Sequence, residues 1–89
     1  MVWVGVDAHK KVVVAVAVDE TGQVSSRFDG GNTPRDWQRF SDWLGELGEV
    51  VSVGIEGAYS YGRLAQWLVG SGLTVYDINP CRSWPLPVR

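Results

Sequence analysis

The sequence predicts an α/β domain: a mixed five-stranded sheet of spatial order 3-2-1-4-5, with two helices on one face. Three observations lead there. Up to Phe28 the chain carries apolar or alternating runs separated only by short polar turns, which is an antiparallel meander. Two helix-period segments then alternate with two further apolar runs, the pattern of helical crossovers between parallel strands. Right-handed crossovers that extend a sheet in one direction place both helices on the same side, and the fourth strand then lies beside the first.

Composition fits one small domain. The chain has 89 residues, 45% of them hydrophobic and 20% charged, which suits a folded core and not a disordered chain. A formal net charge of -2 leaves no overall basic footprint for nucleic acid, so such contacts need a local patch or a partner domain. The single cysteine, Cys81, cannot form an internal disulfide, and the expected compartment is the reducing cytoplasm. Met1-Val2-Trp3 lacks the basic start of a signal peptide. The apolar run Val12 to Val18 is far short of the roughly 20 residues that span a bilayer, so no membrane is expected.

The first strand is Val2 to Asp7. Val2, Val4 and Val6 face one way and Trp3, Gly5 and Asp7 the other. Neither set is polar before Asp7, as in a central strand. After Ala8-His9-Lys10 the second strand runs from Lys11 to Val18, again apolar on both faces, and the short link makes a hairpin. Asp19-Glu20-Thr21-Gly22 is a turn, with Gly22 free to take positive φ. The third strand, about Gln23 to Phe28, has one polar face and reads as an edge strand ended by Asp29-Gly30-Gly31-Asn32.

Thr33 is a good N-cap and Pro34 suits the first helical position. Trp37, Phe40, Leu44 and Leu47 follow with helical spacing, Trp43 stands at the margin of that stripe, and Gly48 ends it. The tryptophans do not interleave with basic residues as a base-stacking platform would, and they read as core. The fourth strand is Val50 to Glu56. Gly57 to Gly62 leads into a second helix with Tyr61, Leu64, Ala65 and Leu68 on one face. Leu73 to Ile78 is the fifth strand, stopped by Asn79-Pro80. Residues 1–80 form the domain, and 81–89, with Pro85 and Pro87, read as an irregular tail.

This arrangement is the ribonuclease-H-like fold, with consequences for chemistry. Asp7 and Glu56 each end an apolar strand, and the predicted order makes those strands adjacent and parallel. Neighbouring strands lie about 4.8 Å apart. Two such carboxylates repel unless a cation neutralises them. Mg²⁺ takes oxygen ligands and keeps several waters, so one or two carboxylates can hold it. Asp7 and Glu56 are therefore the candidate catalytic and metal-binding residues, for Mg²⁺ or Mn²⁺. Two-metal phosphoryl transfer needs more acids, and only Asp77, near the end of the fifth strand, stands as a positional candidate. Both helices lie on one face, so the other should expose several valines or Trp3, a patch that favours self-association.

Other residues carry less. His9 reads as a solvent-facing hairpin residue with no Cys or His partner at metal-ligand spacing. Lys10 and Lys11 read as exposed lysines that could meet a phosphate. Ser60 has no base placed to activate it. Cys81 has no partners.

Several stretches resemble one family. Val4-Gly5-Val6-Asp7-Ala8-His9-Lys10-Lys11, Ala15 to Gly22, Asn32-Thr33-Pro34, Gly54-Ile55-Glu56-Gly57-Ala58-Tyr59-Ser60-Tyr61-Gly62 and Val75 to Pro80 together resemble the DEDD transposases of bacterial insertion sequences, in the family numbered one hundred and ten. The Glu-Gly-x-x-Ser-Tyr-Gly stretch is the most specific. The resemblance spans about Val4 to Pro80 and implies a domain similar to the RuvC Holliday-junction resolvase. It implies that Asp7 and Glu56 are the first two acids of the DEDD set. It further implies Mg²⁺-dependent DNA strand cleavage and exchange, with a guide RNA bridging target and donor. In relatives the last two Asp of the set, and a domain bearing a nucleophilic serine, follow the fifth strand. The tail from Cys81 departs from the family, so the expectation is a truncated or frameshifted copy, incomplete at the C-terminus and inactive alone.

Two other readings are open. A sugar-kinase or actin-like ATPase fragment shares the fold, but its phosphate hairpin needs glycine and Ser/Thr after the acid, where this chain has Ala8-His9-Lys10. A non-catalytic module that binds nucleic acid or transposase is the third.

Overall fold

The structure is a computed structural model that describes residues 1–56, 62–78 and 86–87. Its elements are β1 (Val2–Ala8), β2 (Val12–Asp19), β3 (Val24–Gly31), α1 (Pro34–Glu46), β4 (Val50–Glu56), α2 (Gly62–Gly70), β5 (Val75–Ile78) and β6 (Leu86–Pro87). The sheet runs β3-β2-β1-β4-β5-β6. The first five strands thus stand in the predicted order, with two helices. β1 pairs antiparallel with β2 and parallel with β4, and β4 pairs parallel with β5. This is the α/β arrangement of the RuvC-like fold.

Alternation decides which face is covered. Val2, Val4, Val6 and Ala8 of β1 are buried, as are Val13, Ala15 and Ala17 of β2, Val53 and Ile55 of β4, and Val75 of β5. They meet Trp37, Phe40, Trp43 and Leu44 of α1 and Leu64, Ala65 and Leu68 of α2 in one cluster. Both helices therefore cover the same face. The opposite face carries Trp3 and Val12, both exposed, and the half-buried Val14, Val16 and Val18. Among the described residues no helix covers it.

The start of α1 is built as its sequence dictates. Thr33 sits in extended backbone as N-cap, with Pro34 beginning the helix. The Thr33 hydroxyl donates to Asp36 Oδ2 at 2.6 Å and accepts from the Asp36 N–H, a cap worth about 1 kcal/mol. The Asp19–Gly22 turn forms with Gly22 at φ 85°. Asp19 Oδ1 accepts from the Thr21 hydroxyl, the Thr21 N–H and the Gln23 N–H. Those bonds, the hydroxyl first, hold the Asp19 carboxyl below its ordinary pKa.

Two elements differ from expectation, and one residue at the margin of its stripe finds its place. β3 continues through Asp29-Gly30-Gly31, which pair with Val14, Val13 and Val12 instead of ending the meander. Its glycines serve close approach and not a turn: a Cβ on Gly30 would lie 2.8 Å from the Phe28 ring, and one on Gly31 would collide with the Asp36 carboxylate. Trp43, at the margin of the helical stripe, is buried as a core residue: its ring packs against Phe28 and Phe40 and its indole N–H donates to Ser26 Oγ at 2.9 Å. Finally, Leu86–Pro87 in the tail pairs antiparallel with β5 at Tyr76 and Asp77, adding a two-residue edge strand. No helix among the described residues is long and apolar enough to cross a membrane.

Candidate acid pair at the strand tips

β1 and β4 come into register so that Asp7 stands directly opposite Glu56. The register is fixed below the tips by Val4 against Val53 and Val6 against Ile55, four residues whose side chains are all in the core. A slip by one position would turn those side chains out to solvent, so packing indirectly locks the acids together. Both carboxylates alternate away from the core and project on the open face. They border a shallow depression of about 270 Å³ lined by Gly5, Val14, Val16 and neighbouring backbone. Gly5 leaves the floor low beneath Asp7: a Cβ there would reach only Val16, at 3.9 Å.

The environment is wet. The Asp7 side chain is 57% exposed and Glu56 is exposed. Two negative charges on adjacent strands repel, and a divalent cation held between them would offset that repulsion. The donors are hard oxygens with room for water, which fits Mg²⁺ or Mn²⁺ better than a softer metal. Among the described residues no group of three or more His, Cys, Asp or Glu is clustered for a metal. The pair thus supplies at most two protein ligands.

The structure adds a contact that the sequence reading did not see. His9 is exposed, as expected at a hairpin, yet its Nε2 lies 3.0 Å from Asp7 Oδ2. The signal was the Asp-x-His spacing past a strand end, where alternation returns the second residue to the side of the first. Lys10 and Lys11 are exposed beside it. Asp77 is paired with Ile55, while Ile78 is the residue opposite Glu56. Ser60, Tyr61 and Cys81 lie outside the described residues.

Comparison with known proteins bears on this geometry. No curated protein matches the chain. A family model for the DEDD transposase domain of the IS110 type, described as a transposase, matches residues 4–86. The match covers Asp7, Glu56 and Asp77, and it runs past Pro80 into the stretch that the motifs alone had left outside the family. With nearly its whole length matched, the chain belongs to the IS110-type DEDD transposase family.

Proposed function

We propose that this domain carries the first half of a metal-dependent DNA-processing site, with Asp7 and Glu56 as its ion ligands. The observation that carries the reading is the register pairing of the two acids at the tips of adjacent parallel strands. The family match supports DNA as the substrate. A bound Mg²⁺ or Mn²⁺ would supply charge neutralisation for a phosphate oxygen and a template for its approach. The chain's own residues do the rest: Asp7 and Glu56 fix where positive charge is held, and Lys10 and Lys11 offer ammonium groups to the backbone beside it. A guide RNA is the further partner that the family resemblance implies.

Strand cleavage and exchange demand more than this pair gives. In-line phosphoryl displacement is served by two ions about 3.5–4 Å apart, held by more acids than two. The 89-residue chain on its own is therefore proposed to bind metal weakly and not to cut. The test is incubation of the purified chain with labelled junction DNA and Mn²⁺, beside an Asp7→Asn/Glu56→Gln double variant. Metal binding lost in the double variant, with no cleavage by either, is the expected result. Cleavage by the unmodified chain that the variant loses would show that two acids suffice or that Asp77 completes the site. Equal metal binding by both proteins would remove the acid pair from the mechanism.

A further inference from the structure

The hairpin that follows Asp7 is only half closed by its own backbone. His9 N–H donates to Val12 O at 2.8 Å, but the return bond from Val12 N–H to His9 O is not made. The reason lies in the two residues between. A tight two-residue hairpin of type I′ needs φ above zero at both central positions, which favours Asn and Gly. Here those positions are Lys10 and Lys11, and among the described residues no non-glycine has positive φ. The His9 carbonyl is left free of the turn bond, and Asn32 binds it from 23 residues away: its Nδ2 donates to His9 O at 2.8 Å.

Asn32 is itself held. The Trp37 indole N–H donates to Asn32 Oδ1 at 2.8 Å, and Trp37 is buried in the core. The amide orientation is set by its partners, since an indole N–H can only donate and a backbone carbonyl can only accept. A continuous chain results, from Trp37 through Asn32 to His9, and from the His9 imidazole to Asp7 Oδ2. Its first link is anchored in the core and its last touches an acid on the opposite side of the sheet.

We infer that Asn32 is a positioning residue for the acid pair: it clamps the β1–β2 hairpin and thereby fixes His9 against Asp7. The consequence for metal affinity rests on the reading of Asp7 and Glu56 as ion ligands; the consequence for the hairpin does not. The test uses the isotope-labelled 89-residue chain and two variants that add no charge. Asn32→Leu removes both hydrogen bonds of the side-chain amide. Trp37→Phe removes the N–H that orients the amide, together with the pyrrole part of the indole, and retains a smaller aromatic ring in the core.

Three quantities are read: hydrogen exchange of the His9 amide relative to Gly5 and Val16, the Asp7 carboxyl carbon resonance, and Mn²⁺ broadening at Asp7 and Glu56. In Asn32→Leu, His9 should exchange about fivefold faster than the reference amides allow, the ratio expected for one lost hydrogen bond. The Asp7 carboxyl resonance should move, and broadening should need about fivefold more Mn²⁺. Trp37→Phe should move all three the same way by a smaller factor. Unchanged His9 exchange and an unmoved Asp7 carboxyl in Asn32→Leu would overturn the inference. So would faster exchange spread evenly over the sheet, which marks lost general stability and no local clamp. If Mn²⁺ broadens neither acid in the unmodified chain, the ion reading fails, and exchange with the carboxyl resonance still decides the role of Asn32.

Discussion

Glu56→Gln should make the metal-free domain more stable while abolishing its response to metal. Adjacent strands lie about 4.8 Å apart, so the paired charges of Asp7 and Glu56 repel by about 0.9 kcal/mol at the dielectric of water and by severalfold more in a drier site. The Asp7 side chain is 57% exposed, which places the pair near the weak end, at about 0.5–1 kcal/mol. For a domain of this size that corresponds to a midpoint about 2–8 °C higher. Divalent metal acts oppositely on the unmodified chain. With a dissociation constant on the order of 1 mM, 10 mM Mn²⁺ would stabilise it by about 1.4 kcal/mol. Thermal unfolding at pH 8 and low salt, in chelator and then in Mn²⁺, reads both effects. The two proteins should exchange rank between the conditions, and added salt should shrink the gap seen in chelator. A Glu56→Gln domain less stable than the unmodified one in chelator would show that the acids do not repel. Equal stabilisation of both by Mn²⁺ would show that the ion binds elsewhere.

Three further outcomes follow from the fold. Phe40 is almost fully buried between α1 and the sheet, against Phe28 of β3, so Phe40→Ala should cost about 3–5 kcal/mol in urea unfolding, enough to leave much of so small a domain unfolded. Asp19 has its folded-state pKa lowered by the Thr21 hydroxyl and the Gln23 N–H. Its stabilisation is present above the ordinary carboxylate value and is lost as pH falls through the lowered one, so Asp19→Asn should flatten the fall in urea midpoint below about pH 4. Trp3 is 39% exposed on the open face beside half-buried valines, and sedimentation equilibrium at rising concentration should show self-association that Trp3→Lys weakens. A strictly monomeric chain at every concentration would contradict that reading.

The fold was legible because each of its decisions is local or follows a general rule. Period-two runs mark β1, β2 and β4. A Thr-Pro start and the Trp37, Phe40, Leu44 spacing mark α1, and crossover handedness places β4 beside β1. The pairing of Asp7 with Glu56 came with that order, since an acid that ends each of two neighbouring strands has few other places to stand. The end of β3 was not legible. Asp29-Gly30-Gly31-Asn32 has turn composition, but its glycines are there because the Phe28 ring and the Asp36 carboxylate pass close to the backbone, a fact of packing that no local pattern carries. Trp43 reads as core although it stands at the margin of its stripe, and the partners that bury it, the ring of Phe28 and the hydroxyl of Ser26, are on another element and carry no local signal.

The surroundings of Asp7 show why a site is harder to read than a sheet. Asp7 could be found by its place at the end of an apolar run. Its supports could not, because they are single hydrogen bonds, one from Asn32 to His9 across 23 residues and one from Trp37 that holds Asn32, each contributing only about 1 kcal/mol. One sign was nonetheless present. Lys10-Lys11 is a poor pair for a tight hairpin turn, and a hairpin joined by such residues leaves a backbone carbonyl in want of a donor. Asking which side chain supplies it leads to polar residues at the ends of neighbouring strands, and β3, which pairs with Val12 at Gly31, ends next to Asn32. A weak local turn beside a candidate acid is thus itself an indication that a distant side chain holds that acid in place.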